Sequence, residues 1–193
     1  IGGFKDGKYS GKGILTTLIE EEFLNIKYVG QWKDGKMHGK GIFECSDGLR
    51  YEGGWKHDKR HGFATFEKPP DGESYKGKFK DDKYHGFGIM EWPTEEVYAG
   101  NLKGADFDGK GMTIGSTIAR YEGDFKKGEH YGNALVTYRD GTTVEGKVKN
   151  EKFVGKVTVT RPNLTKYEFT WSREKKKNEI IIWPDGSRRR VYK

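Results

Sequence analysis

Apolar and polar positions alternate along most of this chain with a period of two. In the segment YVGQWKDGKMHGKGIFECSDG, Tyr28, Gly30 and Trp32 fall on one side and Val29 and Gln31 on the other, the pattern of a strand with one aromatic face. The following KDGK reads as a tight turn, because Asp34 and Gly35 tolerate positive φ; HGKGIFEC then returns as a second strand, and SDGLR turns the chain into the next aromatic segment. This hairpin recurs. New repeats open at Tyr28, Tyr51, Tyr75, Tyr98, Tyr121, Val144 and Tyr167, spaced 23 or 24 residues apart, and a partial repeat, GGFKDGKYSGKG, opens the chain. Turns this short connect only neighbouring antiparallel strands, so the pattern predicts a meander of about eight hairpins.

Glycine weakens a strand, yet it recurs in every return segment. Equivalent strands of successive repeats lie about 9.6 Å apart, twice the strand spacing, so rings of adjacent repeats can meet only by leaning across the strand between them. Gly39, Gly41, Gly62, Ala64, Gly86 and Gly88 are expected to leave room for those rings. Burial of a large aromatic contributes roughly 1.5 to 3 kcal/mol, against roughly 0.5 to 1 kcal/mol for the glycine.

The segment from Tyr28, with YEGGWKHDKRHG, YKGKFKDDKYHGFG and YEGDFKKGEHYG, resembles the MORN (membrane occupation and recognition nexus) repeat family. The resemblance implies an all-β fold: an elongated, twisted, single-layer antiparallel sheet. It spans residues 1–172 as the array, with a partial first repeat over 1–27 and a degenerate, basic last repeat over 167–193. Leu102 and Val148 replace the usual Trp or Phe, Val144 the leading Tyr, and Val157 the second glycine. In the last repeat, Asn178 and Ile180 stand at the sequence offsets of the two glycines. A degenerate terminal repeat reads either as a cap that discourages edge pairing or as a contact for self-association.

Composition narrows the picture. Only 33% of the 193 residues are apolar, too few for a thick core, while 14% aromatics argue against disorder. The chain begins without Met and in mid-pattern, which suggests a segment of a longer protein, and the single Cys45 mildly favours a reducing compartment. Of the net charge of +7, five charges fall within residues 173–193; the remainder is near balance.

Candidate chemistry is sparse. His38, His61 and His85 recur at repeat spacing, too far apart to share a zinc ion with bonds of about 2.0 Å, so no metal site is expected. Cys45 has no identifiable His partner. The acidic pairs Asp81-Asp82 and Glu95-Glu96, and Glu20 to Glu22, fall in turns or insertions, where a carboxylate is solvated rather than tuned for acid–base work. No phosphate-binding loop signature occurs, so neither a cofactor nor catalysis is expected.

The expected function is a non-enzymatic protein-interaction scaffold. Tyr28, Trp32, Tyr51, Trp55, Tyr75, Phe79, Tyr98, Tyr121 and Phe125 are its candidate partner-binding residues, on a glycine-and-aromatic face able to take an extended peptide or a helix. The family resemblance implies a cytoplasmic, cytoskeletal, ciliary or membrane-associated setting. Lys175, Lys176, Lys177, Arg188, Arg189 and Arg190 form a second candidate surface, for acidic lipids. Nucleic acid is disfavoured by acids such as Glu52, Glu122 and Asp124 interspersed among the aromatics. A further alternative is the accessory region of a longer enzyme.

Overall fold

A computed structural model describes residues 2–19, 24–69, 72–116, 118–172 and 175–191. Among these residues there is no helix, and seventeen strands belong to one antiparallel sheet. The chain divides into two compact units, residues 1–93 with 102–105, and residues 94–101 with 106–193. In the first unit, β1 (Gly2–Lys5), β2 (Lys8–Ile19), β3 (Leu24–Lys33), β4 (Lys36–Cys45), β5 (Arg50–Lys56), β6 (Lys59–Lys68), β7 (Glu73–Lys80) and β8 (Lys83–Glu91) each pair with their neighbour in sequence. The second unit repeats the meander with β10 (Asp106–Ile114), β11 (Arg120–Lys126), β12 (Glu129–Thr137), β13 (Thr143–Lys149), β14 (Lys152–Thr160), β15 (Lys166–Ser172), β16 (Lys175–Ile182) and β17 (Arg188–Arg190), and β9 (Val97–Lys103) pairs with β10.

The tight turns match their residues. Asp34 and Gly35 have φ of 54° and 78°, and Asp58 and Asp82, which stand where that glycine would be, both have φ of 68°. Those aspartates also do something a glycine could not. Asp58 Oδ1 accepts from the Met37 backbone N–H at 2.7 Å, and Asp82 Oδ1 from that of Arg60 at 2.9 Å. Each turn thereby ties itself to the preceding hairpin.

One face of the sheet carries the core, built from rings over glycines. Register places Tyr28 opposite Phe43, Gly30 opposite Gly41, and Trp32 opposite Met37. The Tyr98 ring illustrates the fit: a Cβ on Gly111 would stand 2.8 Å from it, closer than real Cβ atoms come. Rings then meet across the return strand, Tyr28 with Trp55 at 5.5 Å, Tyr51 with Phe79 at 5.3 Å and Tyr98 with Phe125 at 5.4 Å, all close to perpendicular. Tyr28, Tyr51, Tyr75, Tyr98 and Tyr121 each donate the hydroxyl to the carbonyl three residues on, from 2.7 Å at Tyr51 (to Gly54) and Tyr98 (to Asn101) to 3.1 Å at Tyr121 (to Asp124).

The two glycines of each return strand divide the work that the sequence assigns to both. Gly41 and Gly88 lie under the Tyr28 and Tyr75 rings, with Ala64 at the same position in β6. Gly39, Gly62 and Gly86 instead have φ of 68°, 78° and 65° and sit at bulges where the register shifts by two residues. A Cβ on Gly62 would meet nothing within 4 Å, so what this site requires is its backbone conformation. The last hairpin differs from its sequence offsets. There the shift is a single residue with Asn178 at φ 54°, so Ile180 pairs with Glu168 on the opposite face rather than taking the place of the second glycine. The acidic run Glu20 to Glu22 lies outside the described residues.

Candidate interaction surfaces

The nine ring residues named from the sequence come together within their units as core. Tyr28, Tyr51, Tyr75 and Tyr98 are at most 1% exposed, and Trp32, the most open of the nine, reaches 8%. Removal from water pushes the phenols of Tyr28, Tyr75, Tyr98 and Tyr121 up to about 12, and raises that of Tyr51 as well. The Trp55 indole N–H donates to the Gly41 carbonyl at 3.2 Å, locking the ring to the strand it crosses. These side chains give the sheet its shape and leave little of themselves for a partner to touch.

In the first unit Phe4, 63% exposed, packs against Tyr9 on the ring face in β1, while Ile14, Phe63, Phe87 and Ile89 are exposed on the reverse face. The two-residue bulge turns its second member outward there: Lys40 in β4, Phe63 in β6 and Phe87 in β8. Phe63 and Phe87 are 61% and 57% exposed. A row running across the strands of the first unit continues this face through Ile14, Val29, Ile42, Glu52, Thr65, Lys76 and Ile89, each residue opposite the next. Two adjoining hollows of about 640 and 420 Å³ open on it and share Val29 and Lys40. The residue between the two small ones varies in the sequence (HGKG, HGFA, HGFG, YGNA), and nothing there marks it as belonging to a bulge or as turned outward.

The six C-terminal cations are all exposed, on β16 and β17. Register splits them. Arg190 and Arg188 pair with Ile180 and Ile182, whereas Lys176 pairs with Trp171 and sets its Nζ 4.5 Å over the Phe169 ring on the core face. They therefore form two groups toward opposite ends of β16.

Three of the histidines lie beside partners along the turn edge, although His38 Nδ1 and His61 Nδ1 are buried without a hydrogen bond among the described residues. His61 Nδ1 lies 3.5 Å from Asp81, His130 Nδ1 lies 2.7 Å from Glu151, and His38 packs against His57. Among the described residues no three of His, Cys, Asp and Glu converge on one point. Cys45 is half-buried at the end of β4.

Comparison with known proteins agrees with this geometry. The sequence profile of the MORN repeat matches residues 1–17, 28–50, 51–72, 75–96 and 121–143, together more than half of the chain. The stretches it passes over contain the departures at Leu102, Val144, Val148 and Val157. No curated protein matches the chain. Among solved structures, the TCP domain of SAS-4 (dCPAP) of Drosophila melanogaster, solved with a proline-rich motif of Ana2 (dSTIL), aligns over 94% of this chain and 90% of that one, at 9% identity and a TM-score of 0.35, a likeness too slight to bear on function. With its profile matched in five segments and its glycines, rings and turns arranged as a hairpin meander, the chain belongs to the MORN repeat family.

Proposed function

We propose that the chain is a non-enzymatic scaffold that binds segments of other proteins on its sheet, within a cytoskeletal, ciliary or membrane-associated assembly of the kind the family resemblance implies. The observation that supports this most is the division between the faces of the first unit: beyond Phe4 in β1, one is closed by its own rings, while the other exposes Phe63, Phe87, Ile14 and Ile89. Exposed large apolar groups gathered on one face mark a contact surface. Tyr28, Trp32, Tyr51, Trp55, Tyr75, Phe79, Tyr98, Tyr121 and Phe125 serve this function by holding the sheet in shape. Any direct contact through them is confined to the few per cent of each ring that solvent reaches. Cross-linking mass spectrometry on the chain in its source cells tests the reading. The expected result is a small, reproducible set of partner segments linked to lysines of the sheet; links scattered over abundant proteins, or none, would refute it.

A second reading is favoured by the exposure of all six C-terminal cations: attachment to acidic membrane surfaces through Lys175, Lys176, Lys177, Arg188, Arg189 and Arg190. Each basic group near such a surface contributes about 1 kcal/mol. Sedimentation with phosphatidylserine vesicles should then fall with added salt and with neutralisation of these residues. Binding insensitive to both removes this reading.

A further inference from the structure

We propose that the reverse face of the first unit is the docking site for an acidic amphipathic helix of a partner protein. This deepens the scaffold reading and rests on it.

Charge is the first argument. Among residues lining the two hollows, Lys12, Lys40 and Lys76 face a single acid, Glu52, whose carboxylate is already held by Arg50 at 2.6 Å. No carboxylate among the described residues lies within ion-pair distance of those three lysines. Lys78 adds a fourth cation, with its Nζ 5.1 Å over the exposed Phe63 ring. The second unit treats the same face differently. There Glu122, Asp124 and Glu168 are paired with Arg120 at 2.6 Å, Lys110 at 2.7 Å and Lys156 at 3.5 Å, so three acids on that face are matched by its own cations. In the first unit Lys12, Lys40 and Lys76 surround apolar groups with no such acid beside them, and the lysine-over-ring contact recurs in the second unit, where Lys126 Nζ stands 5.2 Å over the Tyr131 ring.

Spacing is the second argument. Apolar positions on this face fall on successive strands, Ile14, Val29 and Ile42, with Phe63 and Phe87 two strands apart. Strands are about 4.8 Å apart and helical turns about 5.4 Å, so a helix lying across the strands offers about one apolar side chain to each. An extended peptide repeats on one face at about 6.7 Å and falls out of step. The hollows argue against a membrane as occupant: a flat surface resting on Phe63, Phe87 and the lysine heads leaves half-buried Val29 and Ile42 without contact.

The test is selection of a display library of random peptides of about 20 residues, long enough to span about 30 Å as a helix, against the full chain. Enriched peptides are then synthesised and measured by fluorescence anisotropy and circular dichroism. The expected winners carry Asp or Glu beside an apolar stripe at i, i+3, i+4 and i+7, become helical on binding, and bind about tenfold more weakly to Lys40→Glu/Lys76→Glu. Phe63→Ser/Phe87→Ser should weaken them comparably, and since both rings are exposed its melting temperature should stay near that of the parent. Should that variant misfold, the lysine pair alone decides the matter. Failure to enrich any peptide, winners without acids, or winners indifferent to the lysine variant would overturn the proposal. So would phosphatidylserine vesicle binding lost in the lysine variant with no peptide enriched, which would assign the face to a membrane. If cross-linked partners in cells persist unchanged in both variants, the scaffold reading stands and this surface does not.

Discussion

Gly86 and Gly88 stand two residues apart in β8 and are chemically identical, yet they answer different demands. Gly86 has φ of 65° with only the Lys78 Cδ within 4 Å of a would-be Cβ, whereas a Cβ on Gly88 would come 2.7 Å from Cζ of the Tyr75 ring. The first site needs a backbone that asparagine tolerates; the second needs empty space that only hydrogen supplies. Gly86→Ala should therefore cost about 1 to 2 kcal/mol and Gly86→Asn less. Gly88→Ala should cost about 1 to 3 kcal/mol by overpacking, with Gly88→Asn worse still. Urea denaturation of the four variants measures this, and equal losses for the two asparagine variants would contradict it. Alternation shows that Tyr28, Gly30 and Trp32 share a face, but a two-residue bulge leaves no mark on composition. For that reason the separate roles of Gly39 and Gly41 were not legible.

At the level of the hairpin, the turn aspartates show how a position can depart from its best conformer and still gain. Asp82 accepts φ of 68°, and its carboxylate takes the Arg60 N–H and stands 3.3 Å from the Arg60 Nε. Glycine at this position relieves the backbone but loses the acceptor; alanine loses the acceptor and keeps the strain. Asp82→Ala should consequently be about 1 to 2 kcal/mol less stable than Asp82→Gly, read from thermal melts of the two variants. Comparable melts would show that the backbone term is small. The Asp-Gly and Asp-Asp pairs declared these turns in the sequence. The hydrogen bond that Asp82 accepts from the N–H of Arg60, 22 positions earlier, did not show, because it exists only once successive turns lie side by side.

Across the whole molecule, burial of the tyrosine ladder couples its ionisation to folding. Tyr28, Tyr75, Tyr84, Tyr98 and Tyr121 are pushed up from the ordinary value near 10 to about 12. A folded-state value above the unfolded one means that the stabilisation is complete below pH 10 and is lost as pH rises from 10 through 12, by about 1.4 kcal/mol per pH unit for each such phenol. Absorbance at the phenolate band should thus show these groups ionising together with loss of the strand circular dichroism signal. A smooth titration of all eleven tyrosines near pH 10 with the sheet intact would contradict this. Charge at this scale was the least legible property. The sequence outside its C-terminal segment is near balance, but many of the first unit's acids, such as Asp34, Asp47, Asp58, Asp81 and Asp82, sit in turns while Lys12, Lys40, Lys76 and Lys78 occupy one face. Finally, a leading tyrosine covers the glycine of its own return strand, as Tyr28 covers Gly41, while the ring four residues after the next leading tyrosine reaches back to both, as Trp55 does. A duplication of one whole period in the gene thus arrives with its own plug and its own socket. Such a protein can grow or shrink in evolution by copying without redesign of its interior.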